Sequence, residues 1–343
     1  MAQYILNMGG RRGGIYDTVD VFEVTDSGVT HRTDFNLTLS VARYDLAAAS
    51  AGNYILAMGG RTDIASIRPS TNAVDVFHVT DSGIERVENH GLVLSHAEGF
   101  IMHAATSCKN YIFVMGGNGN YTHYNGVDVF EVTDSGVVNR TTDFGLTLSK
   151  GRERVAAASA GNFVLAMGGV SGTSSAPVDD TVVDVFEVTD SGVTRRTDLQ
   201  TSLSVGRQSA VAASCGNYIL AMGGHIGSDA SDAVDIFHVT ASGVIKVENH
   251  NLMLSHPRHE PAAASVGNYI LVMGGETSTT ASDVIDIFEV TSSGVIKVEN
   301  HNLMLSHPSN DLAAASAGNF VLAMGGAEGG TFYNTVDVFQ LFE

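Results

Sequence analysis

The chain of 343 residues carries 37 acidic against 18 basic side chains, a formal charge of −19 at pH 7. It therefore lacks the basic surface that phosphate recognition needs, which argues against nucleic acid and anionic membrane as partners. Its 44% hydrophobic and 16% charged residues give material for a sizeable core, while no apolar run reaches the roughly eighteen residues of a membrane span and no signal peptide is visible. These features predict a soluble protein without membrane insertion, and leave open whether it is cytoplasmic or surface-associated.

One repeat runs from Tyr4 to Phe342 without a linker, so residues 1–343 read as a single domain. It opens on an apolar strand, Tyr4 to Met8, closed by Gly9-Gly10. Further glycine pairs follow at Gly59-Gly60, Gly116-Gly117, Gly168-Gly169, Gly223-Gly224, Gly274-Gly275 and Gly325-Gly326, spaced by 50 to 57 residues. A period near fifty built from short β segments is that of a propeller, one four-stranded blade per repeat.

The second repeat shows the unit complete. Ala47, Ala48 and Ala49 are small enough for an innermost strand, where blades converge on the axis. Ser50-Ala51-Gly52-Asn53 turns the chain into strand two, Tyr54 to Met58, whose alternating apolar residues pack between blades. Strand three is VDVFHV from Val74, and Asp81-Ser82-Gly83 makes the next reversal. Strand four follows from about Ile84, and a connection containing Leu94-Ser95 returns to the axis.

The third repeat departs from the pattern. His103 stands where the others place Leu46, Val155, Ala210, Pro261 or Leu312, and the loop NGNYTHYNG concentrates Tyr121, His123 and Tyr124. The repeats on either side carry the longest two-three loops, Arg61 to Ala73 and Val170 to Val182. Cys108 and Cys215 occupy equivalent turns a whole blade apart, too far for a disulfide, so there is no cysteine framework to indicate an oxidising compartment.

Strands two and three occur seven times each, but strand one and strand four only six times each, because the first repeat lacks its inner strand and the last its outer one. The count predicts an all-β propeller of seven four-stranded antiparallel blades with incomplete first and last blades. Six blades plus an extra hairpin is the alternative. Either leaves an uncovered edge through which copies could self-associate.

The double glycine after an apolar strand, the strand-three core and an Arg shortly before strand one (Arg43, Arg152, Arg207, Arg258) resemble the kelch-repeat family over the whole chain. The family's outer-strand Trp is absent, and its strand-three Tyr is Phe in every repeat, as at Phe22 and Phe77. The array is also similar to AGNY-type kelch-like repeats of uncharacterised bacterial and prophage proteins. The resemblances imply a binding protein, surface- or tail-associated in the second case, whose arginines near the channel mouth contact acidic partners; pairing with loop acids such as Asp45 or Glu260 is the structural alternative.

The turns one-two and three-four are uniform, whereas the two-three loops vary from 8 to 13 residues. Binding residues concentrate on variable loops of a rigid scaffold, so the loop face is the expected binding face, with ligand-binding candidates Tyr121, His123, Tyr124, His103 and the four arginines. The Met before each glycine pair reads as core filler. Six of the thirteen histidines fall in ENHxLxLSH motifs (His90, His96, His250, His256, His301, His307) without a recurring third ligand, so no metal is expected. Residues 243–257 and 294–308 are the same fifteen-residue string, as duplicated scaffold would be, and no hydrolase or copper-oxidase signature is present. The sequence thus predicts a non-catalytic module without cofactor that recognises a protein or surface glycan. The alternatives are a carbohydrate-active enzyme and a structural module of a larger assembly.

Overall fold

The computed structural model describes residues 3–64, 69–96, 102–119, 122–173 and 176–341. Seven antiparallel sheets form its blades: the second to sixth have four strands, the first and last three. The seven-sector reading therefore holds over six blades plus a hairpin. Among the described residues the one helix is a single turn, Thr141–Phe144, and no helix is long and apolar enough to cross a membrane.

Blade two shows how the sequence makes each sheet. Ala47–Ala51, Tyr54–Met58, Val74–Thr80 and Gly83–Val87 pair in chain order, with Ala47 opposite Met58, Met58 opposite Val74 and Thr80 opposite Gly83. The Thr80 hydroxyl lies 3.0 Å from that of Ser82 and donates to the Gly83 carbonyl, pinning the reversal. Six Ala/Ser-rich inner strands surround a central channel of about 300 Å³; small side chains are what allow six strands to converge there.

Strands two and three are buried on both faces because each sheet is sandwiched between neighbours. Between blades four and five, Phe163, Leu165 and Met167 pack against Ile219, Ala221 and Phe237. The methionines before the glycine pairs fill these junctions: Met58, Met115, Met167, Met222 and Met273 are at most 1% exposed. Cys108 and Cys215 are buried and unbridged, each thiol donating to a carbonyl of the next blade, Gly161 or Gly267.

The two-three loops and the four-one connections share one end of the ring, as the bridges Tyr44↔Arg61 and Glu153↔Val170 show. Four of these loops form small hairpins, for example Asn118–Gly119 with Thr122–His123 and His225–Ile226 with Asp229–Ala230. The first blade begins with the second-strand element, Gln3–Met8, and the last ends with the third, Val336–Gln340. Their junction is closed by Ile5, Phe22 and Val24 against Phe320, Leu322 and Met324.

Candidate functional site at the channel mouth

Each four-one connection carries a polar staple into the blade it enters. In the first, the Ser40 amide and hydroxyl donate to Asp75 of strand three, and Arg43 pairs with the same carboxylate at 2.7 Å while donating to the Ala57 carbonyl. Arg152 with Asp184, Arg207 with Asp235 and Arg258 with Asp286 repeat the pair at 2.5 to 2.7 Å. All four arginines are completely buried. This corrects the expectation that Arg43, Arg152, Arg207 and Arg258 face acidic partners at the channel mouth, and also the alternative that they pair with loop acids. Their guanidinium groups lie inside, held by strand-three aspartates.

A second cation from strand four completes the staple, Lys246 at 3.0 Å from Asp235 and Lys297 at 2.9 Å from Asp286. Burial raises these carboxyls, but the Arg and Lys beside them bring Asp235 and Asp286 below the usual carboxylate range. Asp128 of blade three has hydroxyl and amide donors from Ser95 and Thr141, and burial pushes it upward. The sequence offers Glu98, outside the described residues, where four of the other connections have Arg and the last has Ser309.

Just beyond the staple each connection makes a left-handed kink at one residue. Asp45, Met102, Arg154, Ser209, Glu260 and Asp311 all have φ between 51° and 55°. That conformation costs a non-glycine residue roughly 1 kcal/mol or more, and here backbone bonds from blade to blade hold it. Arg154 N–H donates to Met102 O, Ser209 N–H to Arg154 O, and Glu260 N–H to Ser209 O. The result is a ring of six side chains of five kinds on one repeated backbone at the loop-face mouth of the channel.

The ring is linked by charge. Asp45 pairs with Arg61 at 3.0 Å, Arg154 lies 3.5 Å from Glu260, and the Ser209 hydroxyl donates to Glu260. Asp311 is exposed to solvent, yet the protein around it, together with Glu260, Asp45 and Glu276, pushes its carboxyl up to about 6. Behind Glu260, His259 is buried with its ring 3.6 Å from that of His225. His259, with Nδ1 3.7 Å from the carboxylate, holds Glu260 below the usual range. His259, Glu260 and Glu276 bring ligand-type atoms within 4.8 Å of one another, a grouping the search for a repeated third ligand could not find because it occurs once. Asn310 already donates to Glu276 at 2.8 Å, and Arg154 and Ser209 engage Glu260, so both carboxylates of the group have other partners, while His259 Nδ1 is buried without a hydrogen bond.

The structure does not gather the third-blade candidates into one exposed patch. Tyr121 lies outside the described residues. His123 is partly buried with Nε2 3.8 Å from Glu153, and Tyr124 meets His96 at 4.1 Å between ring centres, tilted by 36°, and packs against the junction core. His103 Nε2 lies 3.1 Å from the Met58 carbonyl, and burial pushes its pKa down to about 4, so it is neutral near pH 7. Among the motif histidines, His90 and His250 each accept an amide two residues on, and His256 meets the Ser282 hydroxyl. Those contacts are local loop structure.

No protein-family model matches the chain, and no curated protein matches it. Among solved structures, one described as "Structure of YjhT" is similar with a TM-score of 0.61 at 12% identity, over 88% of this chain and 96% of that one. At that identity the likeness concerns the fold, a β-propeller.

Proposed function

We propose that the chain is a non-catalytic, kelch-type binding module that takes a protein or surface-glycan partner on its loop face, centred on the channel mouth. One observation carries the reading: six left-handed positions share a backbone conformation and carry five kinds of side chain, three carboxylates (Asp45, Glu260, Asp311) beside Met102, Arg154 and Ser209. A fixed frame that displays different side chains suits recognition. Catalysis would call for differentiated groups converging on one reacting atom. The mouth carries Asp45, Glu260 and Glu276 close enough to Asp311 to raise its carboxyl, which favours a basic or hydroxyl-rich group of the partner. Tyr121, which the sequence places in the segment NGNYTHYNG and which lies outside the described residues, is an aromatic of the kind that binds either partner class.

The test captures partners on immobilised protein, from a glycan array in one arm and a protein pull-down in the other. The double variant Asp45→Asn/Asp311→Asn should weaken a captured partner by tens of fold, as for anchors worth about 2 kcal/mol. Retention at full affinity, or turnover of a carbohydrate panel by the unaltered protein, overturns the reading.

A further inference from the structure

At the channel mouth the residue before each left-handed kink bridges, antiparallel, to the residue after a glycine pair. The register is the same in five blades, among them Tyr44↔Arg61, Gln208↔His225 and Asn310↔Ala327. Each of these blades therefore presents three side chains from one fixed backbone: the residue before the kink, the kink itself and the first residue of the two-three loop. In four of the five, one of the three is a carboxylate or an imidazole, as Asp45 is in blade two and His225 in blade five. Blade six fills all three positions with metal-ligating side chains, His259, Glu260 and Glu276.

The backbone holds these three together. His259 N–H donates to Glu276 O at 2.9 Å and Glu276 N–H to His259 O at 2.8 Å, so the two side chains leave the same face of the bridge. A Cβ at Gly275 would lie 2.7 Å from His259 O, which shows how closely connection and loop approach. The three ligand-type atoms lie within 4.8 Å of one another, and His259 Nδ1 is 3.7 Å from Glu260 Oε2. Donors about 2.0–2.2 Å from a tetrahedral ion stand about 3.3 Å apart, so small side-chain rotations close the set. His259 is 8% exposed, and its Nδ1 is buried without a hydrogen bond. At 3.7 Å the Glu260 oxygen is too far to supply one, and a buried polar atom left without a partner is costly. The surrounding groups hold the ligands from outside: Ser209 and Arg154 engage Glu260 by its other oxygen, Oε1, Asn310 donates to Glu276 Oε2, and the His225 ring lies 3.6 Å from that of His259. Outer contacts of this kind orient metal ligands.

We infer that His259, Glu260 and Glu276 form a binding site for one divalent transition-metal ion of the zinc class, with His259 ligating through Nδ1. One imidazole with two carboxylates is a donor set that zinc takes, whereas an all-oxygen set suits magnesium or calcium. Three protein donors leave at least one position of a four-coordinate ion to water. The ion ties the connection entering blade six to the two-three loop of the same blade, and it satisfies the buried nitrogen. Its ligands lie outside the ENHxLxLSH motifs, so the repeat pattern does not announce the site. The site stands whether or not the loop face takes a partner.

The probe is Zn²⁺ alone, titrated at pH 7.5 into protein that has been stripped with a chelator and dialysed free of it. Calorimetry should show one ion bound per chain, with a melting temperature that rises as Zn²⁺ is added, while Mg²⁺ gives no saturable heat. His259→Ala and Glu276→Gln should each weaken binding at least about a hundredfold, and Asn310→Ala, which removes an outer contact, about tenfold. Glu276→Gln keeps the size of the side chain and an acceptor for Asn310, so its loss of binding reports ligation and not folding. His90→Ala, at a motif histidine in another connection, should bind as the original does. The inference is overturned if Zn²⁺ binds more weakly than about 100 µM, if either ligand variant binds within twofold of the original, or if His90→Ala loses as much as His259→Ala.

Discussion

The junction between blades four and five and the seam between blades seven and one are built from the same motifs and differ in one segment. At the first, Leu203 is 3% exposed among Met167, Val183 and Ile219, Ser204 caps Asp235, and Arg207 threads between them to the Ala221 carbonyl. At the second, sheet faces meet through Ile5, Phe22, Phe320 and Leu322 with no such insert. Apolar sheet packing alone therefore suffices to bring neighbouring blades together. The connection adds a buried polar lock, which fixes how one blade is rotated against the next because both carboxylate oxygens of Asp235 have assigned donors.

The largest expected effect breaks that lock. Arg207→Ala leaves Asp235 buried with one cation fewer and should cost about 3–5 kcal/mol, the usual penalty for removing one partner of a buried pair. Asp20→Ala at the seam, where the carboxylate is half exposed, should cost under about 0.5 kcal/mol. Urea midpoints of the two variants measure the contrast, and equal shifts would mean that the staple contributes nothing to the sealed junction. The next effect is apolar: Leu203→Ala should cost about 2–5 kcal/mol through the cavity it leaves, against under about 0.5 kcal/mol for Val338→Ala on the open edge.

Much of this contrast was legible in the sequence. Seven glycine pairs and seven strand-three cores counted out the blades, and the absence of one inner and one outer strand located the seam before any coordinates. The role of the arginines was not legible. A charged residue four positions after a buried leucine reads as solvent-facing by its type, and only the convergence of Ser40 and Arg43 on Asp75, more than thirty residues further on, shows it to be a buried lock. The mouth ring was hidden for a different reason. A left-handed residue is visible in sequence when it is glycine or asparagine, and here it is Asp, Met, Arg, Ser, Glu and Asp, held by bonds between blades. The third-blade loop was legible as a departure from the repeat, but Tyr124 turned inward because His96 and the junction core offered its ring more contact than solvent does.

His103 tests a sealed junction by pH. Its pKa is pushed down to about 4 by burial, below the roughly 6.5 of an unfolded histidine. The stability it permits is full above about pH 6.5 and is lost as the pH falls toward 4, because the unfolded chain then binds a proton that the folded one resists. His103→Leu, the residue type of other repeats at that position, should flatten this acid limb of the melting temperature and leave the value at pH 7.5 nearly unchanged. An acid limb of the same depth in both proteins would show that other groups set it.

Asp311 provides the smallest effect and ties the mouth to the seam. Six connections supply the ring, and the gap in it falls between Asp311 and Asp45; burial raises the Asp311 carboxyl, and Glu260, Asp45 and Glu276 raise it further. For Asp311 the folded value near 6 lies above the unfolded value of about 3.9. Its sign is opposite to that of His103: the protonated form is favoured on folding, so its contribution is full below about pH 4 and is lost as the pH rises through 6. Asp311→Asn should therefore match the original protein at pH 4 and melt higher at pH 7.5, by a small margin because the carboxylate is solvent-exposed and screened. Adding 0.5 M salt should shrink the difference at pH 7.5, since repulsion among exposed carboxylates is screened over a few ångströms at that strength. A margin at pH 7.5 indifferent to salt would show that repulsion among the mouth carboxylates does not set it.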